Sequence, residues 1–160
     1  MTSIHKGRYT AELDGDFVVF IIGMRFNRLR KPRSWLPVFS AMPKMLQALA
    51  EHPEKGMLSS RLARSGRTIT LVQYWRSFED LERFARDTDD PHFEAWRRFN
   101  QNVGANGDVG IYHETFRVAA GQHESIYANM PTMGLAAAGR LVPVAQRGER
   151  ARERLTPDAP

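Results

Sequence analysis

The chain has 160 residues with 23 lysines and arginines against 18 aspartates and glutamates, a net charge of +5, and no cysteine. A chain of this length buries one domain's core without covalent staples, and the lack of cysteine excludes disulfide frameworks, thiolate zinc sites and cysteine nucleophiles. The basic excess sits partly in "RFNRLRKPR" (25–33) and partly in the last 20 residues, so it is local and reads first as solvated surface.

The opening "MTSIHKGRYTAELDGD" lacks an apolar stretch followed by a small-residue cleavage site, so no export signal is read here and a cytoplasmic location is expected. Without a sustained period, and with the "DGD" turn at 14–16, residues 1–16 are expected to form a mobile or loosely docked arm. Phe17 to Phe26 predicts a strand with β-branched and aromatic residues on both faces, as in a strand buried on both sides. Its apolar part, "FVVFIIGM", and the later "MGLAAAGRLVPVA" both fall short of the roughly 20 residues a membrane-spanning helix requires.

Helical spacing of Met42, Met45, Leu46 and Leu49 predicts one helix over 34–52, with Pro37 and Pro43 disturbing its first half. Residues 55–77 predict a β-hairpin around "RSGR", where Gly66 supplies the positive φ of a tight turn. Ser77 caps "FEDLERFARD", and Pro91 opens a further helical piece, "HFEAWRRFNQNV". "GANGD" then breaks the chain before the strand "VGIYHETFRVAA", and a short extended piece, "HESIYANM", follows.

The order β-α-β-β-α-β predicts an α+β, ferredoxin-like split βαβ fold: an antiparallel sheet with helices on one face. The second face also reads as apolar, and its expected cover is another copy of the same sheet, giving a homodimer. The domain is placed at 17–144, and 145–160, almost free of apolar residues, at a disordered basic tail.

Of the five histidines, no two show the i, i+4 spacing of a zinc pair. His5, His52 and His123 read as ordinary structural residues. His92 lies in the first turn of its helix and shares a face with Ala95, Trp96 and Phe99, where the helix dipole favours the neutral imidazole a metal needs; a core histidine bonded to a carbonyl is the equal alternative. On the strand, His113 and Glu114 point to opposite faces, so they cannot form an acid/base dyad. Glu114 is expected to serve the helix layer as a structural acceptor.

The segment from Phe78 to Leu135 resembles the haem-containing phenylacetaldoxime dehydratases, which are dimeric α+β barrel enzymes; the matching pieces are His92, the pair His113-Glu114 and "ESIYANMPTMGL". The chain from about residue 5 to 144 resembles a group of bacterial and fungal proteins described as monooxygenase-like, also of the dimeric α+β barrel class. The dehydratase resemblance implies haem b, with His92 as proximal iron ligand and His113 as distal acid/base. Those enzymes carry two such halves in one chain, so here a second copy would supply the other half. Their distal Arg and Ser have no counterpart placed in this chain, so the resemblance stops short of the dehydration reaction.

Phe93, Trp96 and Phe99 are candidate apolar walls for a macrocycle, and Arg25, Arg28, Arg30, Lys31 and Arg33 are candidate partners for its propionates. The leading expectation is a haem-binding, monooxygenase-like oxidoreductase acting on a small molecule. Its alternatives are a cofactor-independent monooxygenase for an aromatic or polyketide-like substrate, with His113 or Tyr74 as base, an aldoxime dehydratase-like haem lyase, and a non-enzymatic binding module. Nucleic acid is not an expected partner, because "TITLVQYW" lacks an RNA-recognition signature and turns Tyr74 and Trp75 to opposite faces. A membrane is not an expected partner either.

Overall fold

A computed structural model describes residues 3–89, 93–94, 97 and 106–155. In chain order the elements are β1 (His5–Glu12), β2 (Phe17–Phe26), α1 (Pro32–Glu51), β3 (Met57–Ser65), β4 (Thr68–Trp75), α2 (Phe78–Arg86), β5 (Val109–Val118), β6 (Tyr127–Met130) and β7 (Arg140–Pro143). Single turns of helix at Pro53–Lys55, Leu135–Ala138, Val144–Gln146 and Ala151–Leu155 punctuate the rest.

The central sheet has the order β3-β4-β2-β5, with every neighbouring pair antiparallel. Together with α1 and α2 it realises the predicted α+β, ferredoxin-like arrangement. The predicted hairpin closes at Gly66, φ 56°, between the paired residues Ser65 and Thr68. Ser77 accepts a hydrogen bond from the Asp80 backbone N–H at 3.1 Å, the expected cap of α2. The stretch 34–52 is a single helix that starts slightly earlier, at Pro32, and keeps both Pro37 and Pro43 within it. A proline in the first turn costs no helical hydrogen bond, which is why Pro32 suits the start.

One face of the sheet carries the helices. There Val18, Leu49, Trp75, Leu81 and Phe84 form one core cluster, and Met24, Phe26 and Val109 form another with Trp35 and Val38 of α1. Trp75, fully buried, donates its indole N–H to Gln73 Oε1 at 2.9 Å, so the buried amide and the buried indole satisfy each other.

Residues 5–12 are not an arm. They form β1, the centre of a second, three-stranded sheet of order β6-β1-β7, which lies against one end of the other face of the main sheet. Ala11, Phe17, Leu135 and Ala136 make that third cluster. The sequence of β1 is half polar, and its partners lie more than a hundred residues away, so nothing in the local window shows the pairing.

The expected tail is ordered as well, through Leu155. Arg154 is buried, its Nε donates to Glu124 Oε1 at 2.9 Å, and its Nη1 donates to the Gly148 carbonyl at 2.8 Å. A charge-assisted clip of this kind holds a segment that has too little apolar surface to hold itself.

Candidate active site

β5 pairs with β2 over its whole length, from Phe17 opposite Val118 to Phe26 opposite Val109. Because paired residues share a face, His113 lies beside Ile22 on the helix-bearing side, together with Val109 and Ile111. Glu114, opposite Ile21, lies on the other side with Tyr112 and Phe116. The two neighbours do point apart, as strand geometry requires, but the layer assigned to Glu114 must be corrected: the helix layer belongs to His113, and Glu114 faces away from it.

His113 is exposed, and its ring centroid lies 5.7 Å from that of Phe20. It makes no hydrogen bond among the described residues. The other three described histidines are committed. His5 shares a hydrogen bond with Thr132 Oγ1 at 3.0 Å, and His52, at the C-terminal cap of α1, bonds Glu54 at 2.8 Å. His123 Nε2 lies 3.2 Å from the Leu13 carbonyl, which fixes that nitrogen as the donor, and burial, aided by Arg147, pushes its pKa below the usual histidine value and keeps it neutral.

His92, Trp96 and Phe99 lie outside the described residues. Phe93 falls in a helical stretch and is half-buried. Among the described residues no three histidines, aspartates or glutamates cluster in a way that would hold a metal ion. His113 and Phe20 place one proton-bearing group and one apolar ring side by side on the helix-bearing face.

Tyr74 lies on the opposite face from His113, in the cluster with Phe17 and Val19. Burial pushes its hydroxyl pKa up, Tyr127 adds to this, and Arg61 opposes it. Near neutral pH it therefore keeps its proton and can donate it, so the alternative of Tyr74 as a base finds no support in its surroundings.

The basic loop holds a group that the sequence reading passed over. Asp108, read only as part of the "GANGD" break, is buried at the start of β5 and accepts from Lys31 Nζ at 3.0 and 3.2 Å and from Ser34 Oγ at 3.1 Å, with Arg28 Nε at 3.4 Å. Arg28 and Lys31 thus have a structural task. An aspartate directly before an apolar strand, after an Asn-Gly turn, was the available signal, together with a basic loop that needed a counter-ion. Two surface depressions lie away from His113. One, of about 580 Å³, runs along α2 past Glu79, Arg83 and Asp87; the other, of about 230 Å³, lies among Glu12, His123, Arg140 and Arg147. In the second, Glu12 engages both Arg140 and Arg147.

An antiparallel βαββαβ sheet with helices on one face, and His113 exposed on the helix-bearing side, defines a ferredoxin-like α+β protein. Residues 17–135 match the Monooxygenase af470-like family, and the chain belongs to that family. It is 32% identical over 151 residues to Monooxygenase af470 of Aspergillus fumigatus, an alignment that covers 81% of this chain and 53% of that one, so it spans about half of its relative. Among solved structures, the aldoxime dehydratase OxdRE crystallised with butyraldoxime has a TM-score of 0.68 at 16% identity, over 84% of this chain and 39% of that enzyme, and thus shares the fold. SnoaB, a cofactor-independent oxygenase from Streptomyces nogalater, is a looser likeness, with a TM-score of 0.44 at 15% identity over 63% of this chain and 91% of that one.

Proposed function

We propose that this protein is a haem-binding, monooxygenase-like oxidoreductase for a small molecule, with His92 as the proximal iron ligand and His113 as the distal acid/base. The observation that carries the reading is His113 itself: an imidazole on the helix-facing side of β5, beside Phe20, with no hydrogen-bond partner among the described residues. A structural histidine normally has a hydrogen-bond partner, as His5, His52 and His123 each do at one ring nitrogen, whereas a group that moves protons must be left available. Phe93, Trp96 and Phe99 are assigned to the apolar walls.

A bound haem would supply the redox-active iron. The chain's own part is to hold His113 against a rigid central sheet, so that its ring meets a bound substrate in one orientation, and to take up or return a proton at one ring nitrogen. The homodimer belongs to the same reading, since the second face of the sheet presents Tyr112 and Phe116 exposed and Ile21 and Val72 half-buried.

Protein produced with a supply of haem is expected to show a Soret band. His92→Ala should abolish the band, and His113→Ala should keep it while losing turnover. A colourless protein that cannot be reconstituted with hemin would refute the haem assignment.

The second reading keeps the same face and removes the metal: His113 acts as base on an electron-rich aromatic substrate that reacts directly with oxygen. The same imidazole, without a hydrogen-bond partner among the described residues, favours it, and its mark is a colourless protein that oxidises such a substrate in air and loses this activity in His113→Ala.

A further inference from the structure

Two tyrosine hydroxyls meet at one glycine on the face of the main sheet turned away from the helices. Tyr74 of β4 stands opposite Ser59 of β3, and Val72 stands opposite Arg61, so these four side chains share that face. Ser59 donates to the Gly134 carbonyl at 3.1 Å, which anchors the segment leading into the helical turn at Leu135–Ala138 beside Tyr74. Tyr127 stands on β6 of the small sheet, so the two phenols reach Gly134 from different sheets. A Cβ on Gly134 would stand 3.5 Å from the Tyr74 hydroxyl oxygen and 3.5 Å from that of Tyr127. The backbone itself requires glycine there, since φ is 59°. The missing side chain leaves an open space between two hydroxyls.

Both hydroxyls have a proton to give. Tyr127 Oη accepts from the Ala136 backbone N–H at 3.3 Å, so its own O–H points elsewhere, and none of the described residues accepts from it. Tyr74 is half-buried, and its hydroxyl has no hydrogen-bond partner among the described residues. A half-buried phenol in that state is an unused donor. Arg61 is the diagonal neighbour of Tyr74 across the β3–β4 pairing, within the reach of a long side chain. It is exposed and makes no ion pair or hydrogen bond among the described residues. The carboxylate in its own row, Glu114, lies three strands away, about 14 Å.

Three donors with no acceptor between them form a setting for an oxygen that carries negative charge. A planar guanidinium fork beside two O–H groups suits a carboxylate in particular. The floor next to these donors is apolar, with Val72 half-buried and Ile21 half-buried beyond it, so the rest of the ligand gains by being flat and apolar. The space opens along β3, an edge strand, on the opposite face of the sheet from His113.

We infer that the space at Gly134 is a binding site for the carboxylate of a small aromatic acid, with the Tyr74 and Tyr127 hydroxyls and the Arg61 guanidinium as its donors and Val72 beneath the ring. The site is separate from the one proposed around His113 and does not depend on the haem assignment.

The test is isothermal titration calorimetry of the full chain with benzoate, set beside benzamide, which has the same shape without the charge, and acetate, which has the charge without the ring. The wild type is expected to bind benzoate more tightly than either. Tyr74→Phe removes an oxygen that bonds nothing in the protein, so its melting temperature should stay at the wild-type value while benzoate affinity falls at least about tenfold. Tyr127→Phe and Arg61→Met should weaken binding to a similar degree, with circular dichroism to check the fold, because Tyr127→Phe also gives up the bond from Ala136. Arg117→Met removes an exposed cation from the helix-bearing face and should bind as the wild type does. A wild type that does not bind benzoate, or that binds benzamide or acetate equally well, would overturn the site. So would undiminished binding in Tyr74→Phe, or an equal loss in Arg117→Met, which would reduce the effect to net charge.

Discussion

Asp108 shows how a single carboxylate organises the edge of this fold. The hydrogen bond from Lys31 holds its pKa below the ordinary carboxylate value, burial works against this, and Ser34 and Arg28 add to the lowering. Asp80 is held low in the same direction: burial raises its pKa, but Arg76, Ser77 and Arg83 together outweigh it. A carboxyl with a folded pKa below its unfolded one stabilises the protein above the unfolded value, about 4, and loses that contribution as pH falls through the folded value. Asp108→Asn should therefore lower the melting temperature near neutral pH, and the gap to wild type should narrow at an acid pH below the folded value. A gap of equal size at both pH values would show that shape, not ionisation, is what Asp108 contributes. His113 was legible at this scale because strand alternation separates it from Glu114 in any register. Asp108 was not, because its value lies in a loop more than seventy residues earlier.

Among the elements, those with strong local signals formed as read. Ser77 begins α2, Gly66 turns the hairpin, and the apolar run of β2 occupies the centre of the sheet. β1 failed that test, since its pattern is too polar to announce a strand and its stability comes from pairing with β6 and β7. The close contact that allows this pairing is at Gly139, where a Cβ would stand 2.0 Å from the Glu12 carbonyl oxygen. Backbone cannot yield there as a flexible side chain can. Gly139→Ala is expected to cost about 2–3 kcal/mol, read as a lower denaturant midpoint by circular dichroism. An unchanged midpoint would mean that β1 and β7 part without cost and that the small sheet contributes little to the fold.

For the molecule as a whole, the C-terminal segment is tied to the domain by polar contacts: the buried Arg154 with Glu124, Arg147 with Glu12, and Glu149 with Arg8. Arg154 is the buried one of these contacts, so removing it leaves Glu124 without that partner and the segment held only by the more exposed pairs of Arg147 and Glu149. Arg154→Ala should speed tryptic cleavage after Arg147, Arg150 and Arg152 while the helix and sheet signals persist. Cleavage at the wild-type rate would show that the segment is held by something other than this clip.

By itself, the sequence determined the βαββαβ order, the turn at Gly66, the cap at Ser77 and the division of His113 from Glu114, because each follows from a period or a preference expressed within a few residues. The tertiary structure alone decided which of those two residues faces the helices, that the first strand and the last helical turn belong to the domain, and that Tyr74, Tyr127 and Gly134 meet on the open face. Those facts depend on pairing between segments remote in the chain, and the energy of such pairing appears only once the strands are in register.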